Sequence, residues 1–170
     1  MREVRIYGDP VLRKTSRKVE IFDEALSTLI DDMKETMETA DGVGLAANQV
    51  GEDIMVAVID TTGGEEPPLE LVNPVITIKS EEIDEADEGC LSLPEITLPV
   101  KRHAKVTVTA QDRTGKSYTI ENAEGLLARA LQHEIDHLHG ILFIDHVSPL
   151  QRAMISGKLK RLAKTGRVDG

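Results

Sequence analysis

The 170-residue sequence has few aromatic residues and a single cysteine, Cys90. Aromatic residues make up 2% of the chain and tryptophan is absent, so the core is expected to be aliphatic. The aromatic surfaces on which single-stranded nucleic acids stack are therefore missing as well. One cysteine cannot form an internal disulfide, which fits a reducing compartment.

Long hydrophobic runs are also missing. The longest apolar stretches, such as residues 55–59, have only the length of a strand, so we expect no membrane-spanning segment. The first residues show neither the apolar stretch nor the cleavage site of a secretory signal. A net charge of −10 argues against direct, specific binding of nucleic acid. The sequence thus predicts a cytoplasmic protein, and its length predicts a single catalytic domain over residues 1–170.

The apolar periodicity predicts three helices separated by strands. The first follows an Asp23 N-cap, with apolar residues spaced by three and four from Leu26 to Met37. The second is expected to start at an Asn122 N-cap and to end at Gly140. A short strand over residues 141–144 and a last helix from Ser148 to about Ala163 complete the prediction.

The strands are predicted from alternation and from turn residues. A strand over residues 54–60 is followed by pieces at 69–72 and 75–78, interrupted at Asn73 and Pro74. Residues 80–88 carry six carboxylates, and most of this run is expected to be a solvated hairpin edge. Residues 106–109 and 117–121 flank a turn and predict a second hairpin.

The segment 132–140 of the second helix contains His133-Glu134-Ile135-Asp136-His137. Residues four apart lie on one face of a helix, so His133 and His137 can bind one metal ion. Glu134 lies one position from the first ligand and can act as a general base beside the metal. The motif is short and supplies two ligands, whereas a catalytic metal usually takes three from the protein and one water.

Spacing in the sequence does not by itself identify the third metal ligand. A lone cysteine such as Cys90 is usually a small buried apolar residue, but a thiolate would complete the site. The downstream candidates are His139, Asp145 and His146. His146 is not excluded by its spacing, whereas His139 points to another helix face. His103 lies beside Lys101 and Arg102 and is expected at the surface.

The segment 42–51 begins with two glycines two positions apart, followed by two alanines, which indicates a backbone that another group approaches closely. A phosphate-binding loop is one interpretation, but the lysine and serine or threonine of that motif are missing. A buried turn of small residues is the other interpretation.

Three motifs together resemble the peptide deformylase family in order and spacing: Gly42-Val43-Gly44-Leu45-Ala46-Ala47-Asn48-Gln49, Glu88-Gly89-Cys90-Leu91-Ser92 and Gln132-His133-Glu134-Ile135-Asp136-His137. The resemblance extends from Gly8 to Leu150. It implies an α+β fold in which antiparallel sheets pack around a central helix carrying His-Glu-x-x-His, with a C-terminal helix. Two residues depart from the usual pattern of the family: Asn48, where threonine or proline is common, and Thr97, where some members have arginine.

The resemblance also implies the site residues. Cys90, His133 and His137 would bind Fe²⁺, for which Zn²⁺, Ni²⁺ or Co²⁺ can substitute. Glu134 would take a proton from the attacking water and give it to the leaving amine, while the Gln49 side chain and the Leu91 backbone N–H would stabilise the oxyanion. The residues expected to contact the substrate are Val43, Gly44, Gly89, Leu126 and Ala130.

The function implied is removal of the formyl group from the N-terminal N-formylmethionine of newly made polypeptides, with release of formate. Some bacterial members dock on the ribosome through the last helix, and the basic residues of 158–167 weakly support such a contact here. Two alternatives are kept: a zincin-type metallopeptidase, and a non-catalytic protein with a structural metal closed by His139 or His146.

Overall fold

The computed structural model describes residues 1–166 and contains two antiparallel sheets and four helices. The larger sheet has the strand order β1-β2-β3-β6-β7, and β4 and β5 form a separate pair. The strands are β1 (Gly44–Ala46), β2 (Val56–Ile59), β3 (Leu69–Lys79), β4 (Ile83–Cys90), β5 (Leu93–His103), β6 (Lys105–Gln111) and β7 (Ser117–Glu124). The helices are α1 (Glu24–Thr39), α2 (Gly125–Leu138), α3 (Pro149–Met154) and α4 (Ser156–Gly166).

The aliphatic residues form three buried clusters, as the scarcity of aromatic residues predicted. The first packs α1 against β1 and β2, and it includes Leu29 and Met33. The second packs α2 against the five-stranded sheet through Leu131 and Ile135. The third joins β5, the segment 142–144 and α4, and it includes the buried Leu159. The antiparallel sheets around α2 and the C-terminal helix confirm the predicted α+β class.

The start of α1 is confirmed, because the Asp23 side chain accepts a hydrogen bond from the Leu26 N–H. The start of α2 was predicted wrongly at Asn122. Strand β7 continues through that residue, and Glu124 takes the N-cap position. The pairing of β7 with β6 extends to Glu124 and outweighs the capping preference of the asparagine.

Other boundaries also differ from the predictions. The predicted strand over 141–144 is replaced by a 3₁₀ turn, Phe143–His146, because its apolar residues enter the third core cluster instead of pairing in a sheet. Strand β3 is continuous, and the predicted interruption at Asn73 is a bulge with a positive φ of 51°. The last helix divides at Ile155 into α3 and α4. Among residues 1–166, no helix has both the length and the apolar character needed to cross a bilayer.

Candidate metal centre and active site

Helix α2 passes through the interior, and residues 128–135 are buried at every position. Leu131 and Ile135 face the five-stranded sheet, whereas His133 and His137 face the small β4–β5 sheet on the other side of the helix. The imidazole centroids are 5.0 Å apart, as expected for residues one helical turn apart. The predicted placement of both histidines on one face is confirmed by this geometry.

Cys90 lies at the end of β4 and brings its thiol to the two histidines. Its Sγ is 3.3 Å from His137 Nε2, and one donor atom from each of the three residues falls within 4.8 Å of the others. Among the described residues, these three are the one group of His, Cys, Asp or Glu side chains arranged to hold an ion. Thiolate and imidazole donors suit Fe²⁺ and Zn²⁺, so the donor set fits the implied metal.

The other histidines do not join this group. His146 is exposed, and its Nε2 lies 2.8 Å from Asp136 Oδ2. His139 is exposed beyond the end of α2. A fourth protein ligand from either residue, which the structural-metal alternative required, is not found. His103 was expected at the surface but is half-buried, with Nδ1 at 2.7 Å from the Ser80 carbonyl oxygen.

Glu88 orients the first histidine. Its Oε1 lies 2.8 Å from His133 Nδ1, so that nitrogen donates and Nε2 is left for a metal ion. Burial alone would raise the pKa of Glu88, but hydrogen bonds from Arg102 and His133 hold it well below its usual range. The expectation of a solvated edge is therefore wrong for Glu88, which is 6% exposed. In the sequence, its position directly before Gly89 and Cys90 was the feature that could have identified Glu88 as a site residue.

Glu134 is buried beside the ligands, and its Oε1 has no hydrogen-bond partner among the described residues. Burial raises its pKa to about 7, partly offset by the positive charge of His133. Burial also lowers the pKa of His137, and the nearby His133 lowers it further. A carboxyl group with a pKa near neutrality and a free oxygen is suited to general acid and base chemistry.

Gln49 lies in a short 3₁₀ turn after β1, where every residue is buried. Its Oε1 accepts a hydrogen bond from the Ala46 N–H at 2.9 Å. Its Nε2 donates to Ser92 Oγ at 3.1 Å and lies 3.5 Å from Cys90 Sγ. The amide donor therefore faces the metal ligands. Residues 45–50 of the segment 42–51 are buried, which agrees with the second interpretation, a buried turn of small residues, whereas Val43 is exposed.

A cavity of about 500 Å³ opens over these side chains. Its walls include Gln49, Leu91, Cys90, His133 and Glu134. All five residues that the resemblance assigns to substrate contact also line it, namely Val43, Gly44, Gly89, Leu126 and Ala130. Val43 and Leu126 are 39% and 52% exposed, which leaves apolar surface available to a ligand.

The profile of the polypeptide deformylase family matches residues 1–153. The chain belongs to the peptide deformylase family. A peptide deformylase of Rhizobium meliloti is 49% identical over 162 residues, which cover 94% of this chain and 92% of that protein. The crystal structure of a Legionella pneumophila peptide deformylase superposes with a TM-score of 0.90 at 47% identity, covering 97% of this chain and 96% of that one. The Thermus thermophilus peptide deformylase gives a TM-score of 0.91 at 39% identity, covering 98% and 100%.

Membership of the peptide deformylase family makes the chain a metal-dependent hydrolase. The predicted family and enzyme class are confirmed, and the zincin and structural-metal alternatives are not supported. Sequence reasoning missed Arg102 and Arg129, which are buried around Glu88. A charged residue among the apolar positions 126–131 was the signal for Arg129.

Proposed function

We propose that this chain hydrolyses the formyl group of N-formylmethionyl ends of newly made polypeptides and releases formate. The observation that carries the proposal is the arrangement of Cys90, His133 and His137 around one point of a cavity, with Glu134 beside them. Cys90 Sγ and the two imidazoles would hold Fe²⁺, for which Zn²⁺, Ni²⁺ or Co²⁺ can substitute. The bound ion would lower the pKa of a water molecule and polarise the formyl oxygen.

Glu134 moves the proton in this reaction. Its unpartnered Oε1 accepts a proton from the attacking water and later gives it to the leaving amine. Burial favours the protonated form of Glu134, which makes the carboxylate a better proton acceptor in the first transfer. The Gln49 Nε2–H and the Leu91 backbone N–H would stabilise the oxyanion, since both residues line the cavity beside Cys90.

The peptide would pair by edge addition along the cavity wall that includes Gly44 and Gly89, two residues without side chains. Val43, Leu126 and Ala130 would surround the methionine side chain. Their exposed apolar surface would be buried on binding, which stabilises the complex by about 25 cal/mol per Å².

Formate release tests the reaction. The metal-loaded protein is expected to release formate from a formyl-Met tripeptide and to leave the same peptide without the formyl group intact. Cleavage of an internal peptide bond in either substrate, without formate, would contradict the proposal. Metal analysis after anaerobic purification tests the identity of the ion, and zinc as the sole metal with full activity would contradict iron.

We place the reaction in the cytoplasm, where new chains emerge and where a free thiol such as Cys90 stays reduced. A weak contact with the ribosome through α4 is part of this proposal. Four basic residues of α4 are exposed: Lys158, Lys160, Arg161 and Lys164. Arg167, which also supported the prediction, lies outside the described residues.

Sedimentation with ribosomes tests that contact. Reversal of the four α4 charges should abolish co-sedimentation at low salt, because contacts with phosphates depend on charge. The matched control reverses four exposed lysines elsewhere, namely Lys14, Lys18, Lys79 and Lys116. Equal loss in both variants would show a general charge effect and contradict a specific α4 contact.

A further inference from the structure

The three candidate ligands come from two separate parts of the fold. His133 and His137 lie on α2, whereas Cys90 ends β4 in the two-stranded sheet. Within residues 1–166, that sheet shares no strand pairing with the five-stranded sheet. The distance from the thiol to the imidazoles therefore depends on the side chains that fix the β4–β5 sheet to α2.

Arg129 is one of these side chains and contacts both strands. It lies on α2 one turn before His133 and is 5% exposed. Its Nη1 donates to Glu88 Oε2 at 2.6 Å and to the Val100 carbonyl oxygen at 2.8 Å. Its Nη2 donates to the Asp84 carbonyl oxygen at 3.0 Å. One helix residue thus binds β4 at two points and β5 at a third.

Arg102 has a different set of contacts. It lies on β5 and donates to both Glu88 oxygens at 2.9 Å, and to Asp136 Oδ2 at 2.6 Å. Loss of Arg129 would leave the Glu88 carboxylate paired with Arg102 and still bonded to His133. The buried charge would remain compensated, so the main loss would be the backbone attachment of the small sheet to α2.

A second attachment lies farther along α2. The Gln132 side chain accepts from the His103 N–H at 3.0 Å and donates to the His103 carbonyl oxygen at 2.9 Å. This pair holds the end of β5 that is remote from Cys90. Without Arg129 the small sheet would stay attached to α2 at this point and through the Arg102–Asp136 and Glu88–His133 contacts. The backbone of β4, the strand that ends in Cys90, would lose its hydrogen bond to the helix side chain.

We propose that Arg129 is a positioning residue of the metal centre, holding the strand that carries Cys90 at bonding distance from an ion bound by His133 and His137. This inference rests on the proposed function in taking these three residues as ligands. Replacement of a residue that orients ligands typically weakens metal binding about 10–100-fold. The thiolate should be the ligand that is lost, because both histidines are fixed on one helix.

Cobalt binding tests the proposal independently of turnover. In the Co²⁺-loaded protein, thiolate-to-cobalt charge-transfer absorption reports the Cys90 bond, and chelator competition gives the dissociation constant. Arg129→Met is expected to raise the dissociation constant about 10–100-fold and to reduce the charge-transfer absorption per bound ion. Arg129→Lys replaces the guanidinium group with a single ammonium group and should show the same changes to a smaller degree. It replaces the Met variant in the experiment if that variant does not fold.

Leu29→Ala is the control for general destabilisation, because Leu29 is buried on α1 and does not line the cavity. This variant should lower the melting temperature and keep the charge-transfer absorption per bound ion. The proposal is overturned if the folded Arg129 variants match Leu29→Ala in that absorption, whatever their affinity. Wild-type protein that shows the thiolate band but releases no formate would refute the proposed function and leave this inference standing.

Discussion

Gly44 and Glu134 approach so closely that no side chain fits between them. A β-carbon built on Gly44 would lie 2.5 Å from Glu134 Oε2 and 2.9 Å from its Cδ. Strand β1 can pass the buried carboxylate only because residue 44 is a glycine. Gly42 and Gly44 predicted that another group approaches this backbone closely, and that group is Glu134, the proposed general base.

Gly44→Ala should displace the Glu134 carboxylate while leaving the ligands in place. A misplacement of about 1 Å at a reacting group can cost about 10²-fold in rate, so kcat should fall by about that factor. Metal content and kcat are the measurements. The control is Gly157→Ala on α4, whose added carbon would make only an ordinary contact at 3.7 Å. Unchanged kcat in Gly44→Ala would show that the carboxylate position is not critical.

Glu134→Gln should keep the metal and lose most turnover. The amide has the same shape but cannot accept the proton, and a general base contributes about 10²–10⁴-fold. Metal analysis and kcat with a formyl-Met peptide check this expectation. Loss of the metal in the variant would instead identify Glu134 as a ligand.

The raised pKa of Glu134 predicts how stability depends on pH in the metal-free protein. Because the pKa rises from about 4.5 in the unfolded chain to about 7 in the fold, the folded state keeps the proton longer. The stability contributed by the neutral form is full below pH 4.5 and is lost as pH rises to 7.

Glu134→Gln removes this titration and should flatten the curve. Relative to the variant, wild type should lose about 3 kcal/mol of unfolding free energy over this window, at about 1.36 kcal/mol for each pKa unit. Urea unfolding of both metal-free proteins at pH 4.5 and pH 8 gives the difference. A constant difference between the two proteins would mean that burial does not shift this pKa.

Substitutions can separate the proposed oxyanion contact of Gln49 from its hydrogen bond to the turn. Gln49→Leu removes both the Nε2 donor and the acceptor that binds the Ala46 N–H, whereas Gln49→Glu keeps an acceptor there. An oxyanion donor contributes about 2.7–4 kcal/mol, so both variants should lose about 10²–10³-fold in kcat, with a smaller change in KM. Normal kcat in folded Gln49→Glu would show that Gln49 only braces the turn.

Cys90→Ser should lower metal content and activity together, because a hydroxyl is a much poorer ligand than a thiolate. Metal per protein after dialysis is the direct measurement. Full occupancy in the variant would remove Cys90 from the ligand set. With iron in the wild-type site, aeration should also reduce activity, since thiolates oxidise readily.

The sequence by itself determined the local features of this protein. The spacing of His133 and His137 sets their shared face because helix geometry is fixed, and the Asp23 cap follows from a side chain bonding to its own turn. The three motifs together were enough to indicate the family. Local rules failed where competing contacts were distant, as at Asn122, where strand pairing with β6 outweighed the capping preference.

Only the tertiary structure decided which distant groups meet. The thiol of Cys90 reaches His137 across 47 positions of sequence, and Glu88 reaches His133 across 45. Such contacts depend on how the small sheet packs against α2, and no periodicity in either segment encodes that relation. Burial is equally non-local: Glu88 and Arg129 appear as surface charges in sequence, yet the fold encloses both and uses their charges to hold the site together.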